Sequence, residues 1–231
     1  MKNSIIYSDD KIVAIATGLE RLSNNRKTGN MVQIWILNKD INPVEAVKQG
    51  IDAKTVCKGC PFASGNGCYV NVGQAPLTIW KAYKAGNYPV LLPKDYARAF
   101  GFRKVRFGAY GNPSMLPISI IKAIAKASDG WTGYFHDWHL MTPAKAAQYA
   151  EFFMVSTDTE ESRKHAESMN WRYFHVSPTK PANARECLSE SHGMTCEACK
   201  LCSGLSKRSQ KSIWINPHGS GKKKAIAAAT K

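Results

Sequence analysis

The chain has no run of about eighteen apolar residues, the shortest stretch that suits an ordinary membrane-spanning helix. Its start, Met1-Lys2-Asn3-Ser4-Ile5-Ile6-Tyr7, meets Asp9, Asp10 and Lys11 before an apolar stretch of signal-peptide length forms. These two absences predict a soluble, intracellular protein with no membrane partner. Acidic residues are also scarce. There are 17 Asp+Glu against 32 Lys+Arg, a formal net charge of +15, and no acidic residue at all follows Cys202. Such an imbalance predicts attraction to phosphates or acidic surfaces and carries no information about fold. The seven cysteines are an odd number, which excludes a fully paired disulfide framework. In a reducing compartment they point to metal, cluster or catalytic use.

What is present describes a globular chain. With 231 residues, 44% hydrophobic and 10% aromatic, it is long enough to bury roughly 70–75% of its unfolded surface without disulfides. Ile5-Ile6-Tyr7 and Ile12–Ala16, separated by a polar turn, read as an N-terminal hairpin. Six β-branched or aromatic runs follow: Val32–Leu37, Val105–Gly108, Trp131–Phe135, Phe152–Val155, Trp171–Val176 and Ile213–Ile215. Helical segments are expected at Pro43–Gln49, Pro76–Tyr83, Ser114–Ala127, Thr142–Ala150 and Thr159–Met169, with Asp158 and Glu161 as a capping box for the last. Alternating strand and helix predicts an α/β fold with a parallel sheet. The length falls short of a full eight-stranded barrel. The expectation is therefore a partial (βα)6 barrel over residues 1–180, followed at 181–231 by a cysteine-rich metal-binding segment, a last strand and a basic tail.

Parallel α/β folds place ligands at the carboxyl ends of their strands. Those positions here carry Gly111-Asn112-Pro113, His136, His139, Asp158 and His175. Each alone is an ordinary turn, cap or loop residue. Together around one rim they describe a ligand site with groups able to move protons.

The cysteines fall into two sets. Cys57, Cys60 and Cys68 lie within a glycine-rich loop, with two and then seven residues between them. Three thiolates can hold a 4Fe-4S cluster and leave one iron open to a substrate or cofactor. Cys187, Cys196, Cys199 and Cys202 supply four thiolates, the full ligand count of a closed iron–sulfur cluster or a structural zinc. A third arrangement would share one zinc between the pairs Cys57/Cys60 and Cys196/Cys199.

The order of strand, three-cysteine loop, helix, strand and Gly111-Asn112-Pro113 resembles the radical S-adenosylmethionine enzymes. The usual loop of that superfamily has gaps of three and two residues with an aromatic before the last cysteine, whereas here Tyr69 follows it. The resemblance implies a cluster on the first set with S-adenosylmethionine on its open iron, Gly111, Asn112 and Pro113 against the methionine part, and an auxiliary cluster on the second set. The chain is also similar, over most of residues 32–219, to a family of cysteine-rich proteins encoded by bacteriophages and plasmids. That similarity rests on Cys68-Tyr69, Gly108–Pro113, Gly133–Trp138, Val155–Asp158, Cys196–Cys202 and Pro217-His218-Gly219. It implies a bacterial host cytoplasm. Some members carry the label of rolling-circle replication initiator, whose metal-binding His-apolar-His pair is not matched by His136 and His139.

Two functional expectations follow. In the first, the protein is an iron–sulfur enzyme acting on a nucleotide or nucleic acid, with His136, His139, Asp158 and His175 facing the substrate. In the second, zinc or clusters stabilise a DNA-binding or replication accessory protein of a mobile element. The acid-free tail, with Lys207, Arg208, Lys211, Lys222, Lys223, Lys224 and Lys231, would bind nucleic acid in either case. A solvated, partly disordered tail is the plain alternative.

Overall fold

A computed structural model of the chain describes residues 1–23, 25–206, 211–219 and 221–229. Of the tail cations, Lys207, Arg208 and Lys231 lie outside the described residues. The fold is mixed α/β with two five-stranded sheets. In chain order the strands are β1 Ser4–Ser8, β2 Ile12–Thr17, β3 Val32–Asn38, β4 Val105–Tyr110, β5 Trp131–Thr132, β6 Tyr134–Phe135, β7 Met154–Thr157, β8 Tyr173–Val176, β9 Ala184–Glu186 and β10 Ser212–Ile215. The first sheet has the order β1-β2-β3-β4-β5, and the second β6-β7-β8-β10-β9. The expected hairpin forms, since β1 and β2 pair antiparallel and β2 then pairs antiparallel with β3. From β3 onward every pairing is parallel.

The expected run Trp131–Phe135 is broken at Gly133, so its first half ends one sheet and its second half begins the other. At the break the Gly133 N–H donates to the Cys202 carbonyl at 2.7 Å, while its own carbonyl accepts from Met154 at 3.1 Å. One side of the residue is thus given to the second cysteine segment instead of a strand. Ala184–Glu186 carries no strand signal in the sequence, being three residues long without an apolar pattern, yet it pairs with β10 and forms the edge of the second sheet.

The helices are α1 Pro43–Lys48, α2 Ala75–Lys84, α3 Tyr96–Phe100, α4 Ile118–Ala127, α5 Pro143–Ala150, α6 Glu160–Ser168, α7 Leu188–Ser191, α8 Cys196–Cys199 and α9 Lys222–Ala229. Asn42 caps α1 by accepting from Val44 and Glu45, both at 3.1 Å. Helix α4 begins after Pro117 and not at Ser114, because Pro113–Met115 first closes a short 3-10 turn. It buries Ile121, Ile124 and Ala125, neighbours on one helical face. The capping box of α6 is also one residue on from the expected Asp158 and Glu161: Thr159 accepts from the Ser162 N–H at 3.1 Å, and Ser162 Oγ faces the Thr159 N–H. The main core is formed by the inner faces of β2, β3 and β4 with α3, α4 and α5, including the fully enclosed Ile15, Ile34, Phe100 and Phe153. No helix among the described residues is long and apolar enough to cross a membrane.

Candidate functional site

The first cysteine loop is built on local hydrogen bonds. The Cys57 N–H donates to the Asp52 carbonyl at 2.8 Å, Cys60 to the Cys57 carbonyl at 3.1 Å and Cys68 to the Phe62 carbonyl at 3.1 Å. Two strand ends then hold the loop from outside. At the end of β4 the Asn112 N–H donates to Val56 at 2.6 Å, and its side-chain Nδ2 donates to the Lys58 carbonyl at 3.1 Å. After β6, Asp137 packs against Gly59 and accepts from Asn112 Nδ2 at 2.8 Å and from Ser114 Oγ. The Tyr110 hydroxyl is buried beside the Cys57 thiol and has no ordinary hydrogen bond among the described residues.

The second set is held by a different group of neighbours. Cys187 donates from its backbone to Trp214 at 2.8 Å, Cys196 to Lys27 at 2.9 Å and Glu197 to Thr28 at 3.1 Å. The Glu197 carboxylate returns to accept from the Asn30 N–H at 2.8 Å. Buried Arg172 ties the far end by donating to the carbonyls of Gly204 at 2.8 Å and Lys211 at 3.0 Å.

All seven cysteines are free and half-buried. Burial is the largest influence on each thiol and raises it above the ordinary range. Neighbouring thiols of the same set raise Cys57, Cys60, Cys187, Cys196, Cys199 and Cys202 further. These couplings run within each set. Among the described residues no group of three or more His, Cys, Asp or Glu side chains is drawn close enough to hold one metal ion, including the pairs Cys57/Cys60 and Cys196/Cys199.

The two sets nevertheless open onto one predominantly apolar cavity of about 180 Å³. Cys60 and Cys68 reach it from one side, and Cys187, Cys196 and Cys202 from another; Cys57 and Cys199 do not line it. Between the sets runs a hydrogen-bonded chain. Arg106, on β4, donates to the hydroxyl of Tyr69, and Tyr69 and Tyr134 share a hydrogen bond of 2.8 Å between their hydroxyls. Tyr69 directly follows Cys68, and Arg106 lies within electrostatic reach of Cys196. The C-terminal helix α9 borders the same space through buried Ala225, and Lys224 donates to the Gly65 carbonyl at 3.2 Å.

The strand-end residues separate into three groups. His136 lines the cavity; burial, and next the nearby His139, push its pKa down to about 4, so its ring is neutral at neutral pH. Exposed His139 couples to Asp158, whose carboxyl is raised by burial and which lies in reach of Cys60. His175 does not join them, for its Nδ1 is hydrogen-bonded to Thr157 Oγ1 at 2.9 Å in the interior. Gly111, Asn112 and Pro113 do not line the cavity either; Asn112 is committed through Nδ2, while its buried Oδ1 has no hydrogen-bond partner among the described residues. The residues that sequence reasoning missed are Arg106 and Tyr134, while Asp137 stands at a strand end visible in the sequence and takes a loop-holding role that only the fold shows. A charged side chain at Arg106, flanked by buried Val105 and Phe107 in a parallel strand, is the signal that could have found the first.

Comparison of the chain with family models, curated proteins and solved structures finds no match.

Proposed function

We propose that the protein is an iron–sulfur enzyme, similar in plan to the radical S-adenosylmethionine enzymes, that acts on a nucleotide or nucleic acid. The observation that carries this reading is the opening of both cysteine sets onto one cavity. A purely structural metal has no need of a ligand space, and two unrelated structural sites have no need to share one. The six parallel strands β3, β4, β5/β6, β7, β8 and β10, following one another in chain order with the bend at Gly133, support a partial barrel around that space.

The donor chemistry fits the proposed group. Thiolates are soft ligands suited to iron–sulfur clusters and to zinc. A bound cation would offset the burial that keeps these thiols protonated. Around one zinc the sulfurs would stand about 3.8 Å apart, from Zn–S bonds of roughly 2.3 Å. A cubane places its ligands on different irons and so suits more widely spaced thiols. Cys57, Cys60 and Cys68 would hold the cluster with an open iron, and Cys187, Cys196, Cys199 and Cys202 the closed one. When loaded, the first would supply an electron for reductive cleavage of S-adenosylmethionine.

The chain's own residues do the rest. Asn112 and Asp137 hold the first loop, and the unpartnered Asn112 Oδ1 supplies an acceptor beside it. The apolar lining restricts water. Neutral His136 can take or return a proton at the cavity wall. His175, held by Thr157, orients β8 against β7.

A second reading, a DNA-binding or replication accessory protein stapled by zinc or clusters, is favoured by the exposed Lys222, Lys223 and Lys224 on α9. Anaerobic purification followed by iron, sulfide and zinc analysis separates the two. Iron with matching sulfide, visible charge-transfer absorbance and reductive cleavage of S-adenosylmethionine are expected. Zinc alone, at about four thiols per ion, would overturn the enzyme reading.

A further inference from the structure

We infer that the cavity between the cysteine sets is a nucleotide pocket, with Arg106 receiving a phosphate group and the aromatic wall receiving the base. This deepens the nucleotide reading above and rests on it. Arg106 is densely enclosed by protein yet keeps accessible surface, and the space it borders is the cavity. Among the described residues its guanidinium makes no ion pair; its hydrogen bond goes to the Tyr69 hydroxyl. A guanidinium stays charged at any ordinary pH and carries five N–H donors in a fork that matches a phosphate. Leaving such a charge enclosed without a counter-ion is costly, so an anion entering the cavity would gain its full attraction.

The charge balance of the lining agrees. Among the described lining residues Glu190 is the single carboxylate, and Lys27 already neutralises it at 2.7 Å. No carboxylate of the described lining is therefore left to pair with Arg106. Flat aromatic faces adjoin it: Tyr69 stacks on His218 with ring centroids 6.3 Å apart, and Tyr134 on Phe174 at 4.7 Å with an interplanar angle of 9°. Stacking surfaces beside a phosphate-binding fork are what a nucleotide requires and a simple dicarboxylate does not. The exposed lysines of α9, next to lining residue Ala225, extend the positive surface outward.

The test is equilibrium binding of AMP, adenosine and succinate to the full chain, purified anaerobically, by calorimetry, with metal content and thermal stability measured on the same samples. AMP should bind more tightly than adenosine, and Arg106→Gln should weaken AMP by about tenfold or more while leaving adenosine unchanged, with Arg106→Lys in between. Should Arg106→Gln fail to fold, Tyr69→Phe provides the second variant. It keeps the guanidinium but removes its hydroxyl partner, and a shift of several-fold in AMP affinity is expected. Equal binding of AMP and adenosine, no AMP binding, succinate matching AMP, or AMP affinity untouched by Arg106→Gln would each overturn the proposal. Loss of metal in Arg106→Gln with AMP affinity unchanged would also overturn it, making Arg106 a counter-ion of Cys196. A zinc-loaded protein that binds AMP through Arg106 would remove the iron–sulfur reading and leave this one standing.

Discussion

Asn112 and Asp137, which follow two different strands, meet at 2.8 Å and together hold the first cysteine loop. Asn112 grips the loop backbone at Val56 and Lys58, while Asp137 fills the space beside Gly59. The carboxylate is buried and also accepts from Ser114. Asp137→Ala would leave two buried donors without an acceptor. A loss of about 2–4 kcal/mol is expected in urea unfolding, together with reduced metal content after anaerobic purification.

Gly59 answers a separate question, whether close approach at the loop matters. Its φ is +75°, and an added Cβ would stand 2.6 Å from the Asp137 Cα. Gly86 has a nearly equal φ of +73° with open space around it. Gly59→Ala should therefore cost clearly more than Gly86→Ala, which bears only the left-handed backbone penalty of about 1 kcal/mol. Equal melting temperatures for the two variants would show that the Asp137 contact is soft.

The interior histidine predicts an acid-sensitive fold. Burial, and next the Arg163 charge, push His175 down to about 4 from its ordinary 6.5. Above the ordinary value both folded and unfolded states hold it neutral. Between about 6.5 and 4 the unfolded chain takes a proton that the folded chain does not, so stability falls with pH. The full loss from this group is on the order of 3 kcal/mol. His175→Gln should flatten that part of a urea-stability profile measured between about pH 7 and 4.5, leaving the parallel contribution of His136.

Nucleic-acid affinity should depend on α9 and on salt. Replacing exposed Lys222, Lys223 and Lys224 by Gln should lower affinity for single-stranded oligonucleotides and reduce the salt slope by about 2, at roughly 0.7 per lost phosphate contact. An unchanged slope would place the nucleic-acid contact elsewhere.

Metal removal should act on the two sets together with the fold. Anaerobic chelation is expected to lower the melting temperature and open the cysteines to alkylation, since release of the metal loosens the fold it ties and frees the sulfurs it would ligate. Alkylation equally fast before and after chelation would argue against thiolate ligation.

Much of the scaffold is legible in the residues themselves. The β-branched and aromatic runs mark the successive parallel strands, and Asn42, Pro117 and Thr142 mark helix starts, because both signals are local: side-chain shape in one case, backbone capping in the other. The two cysteine sets are equally visible as clusters along the chain. Local chemistry does not show that Trp131–Phe135 divides between two sheets, since the division depends on the Cys202 carbonyl arriving at Gly133 from a distant segment. It does not place Ala184–Glu186 beside β10, or send His175 into the interior while His136 faces the cavity. The sequence alone determined the α/β order, the positive charge and the grouping of the thiols. That both groups open onto one space with Arg106 between them depends on the fold, because that space is enclosed by side chains more than a hundred residues apart, brought together by strand pairing and burial.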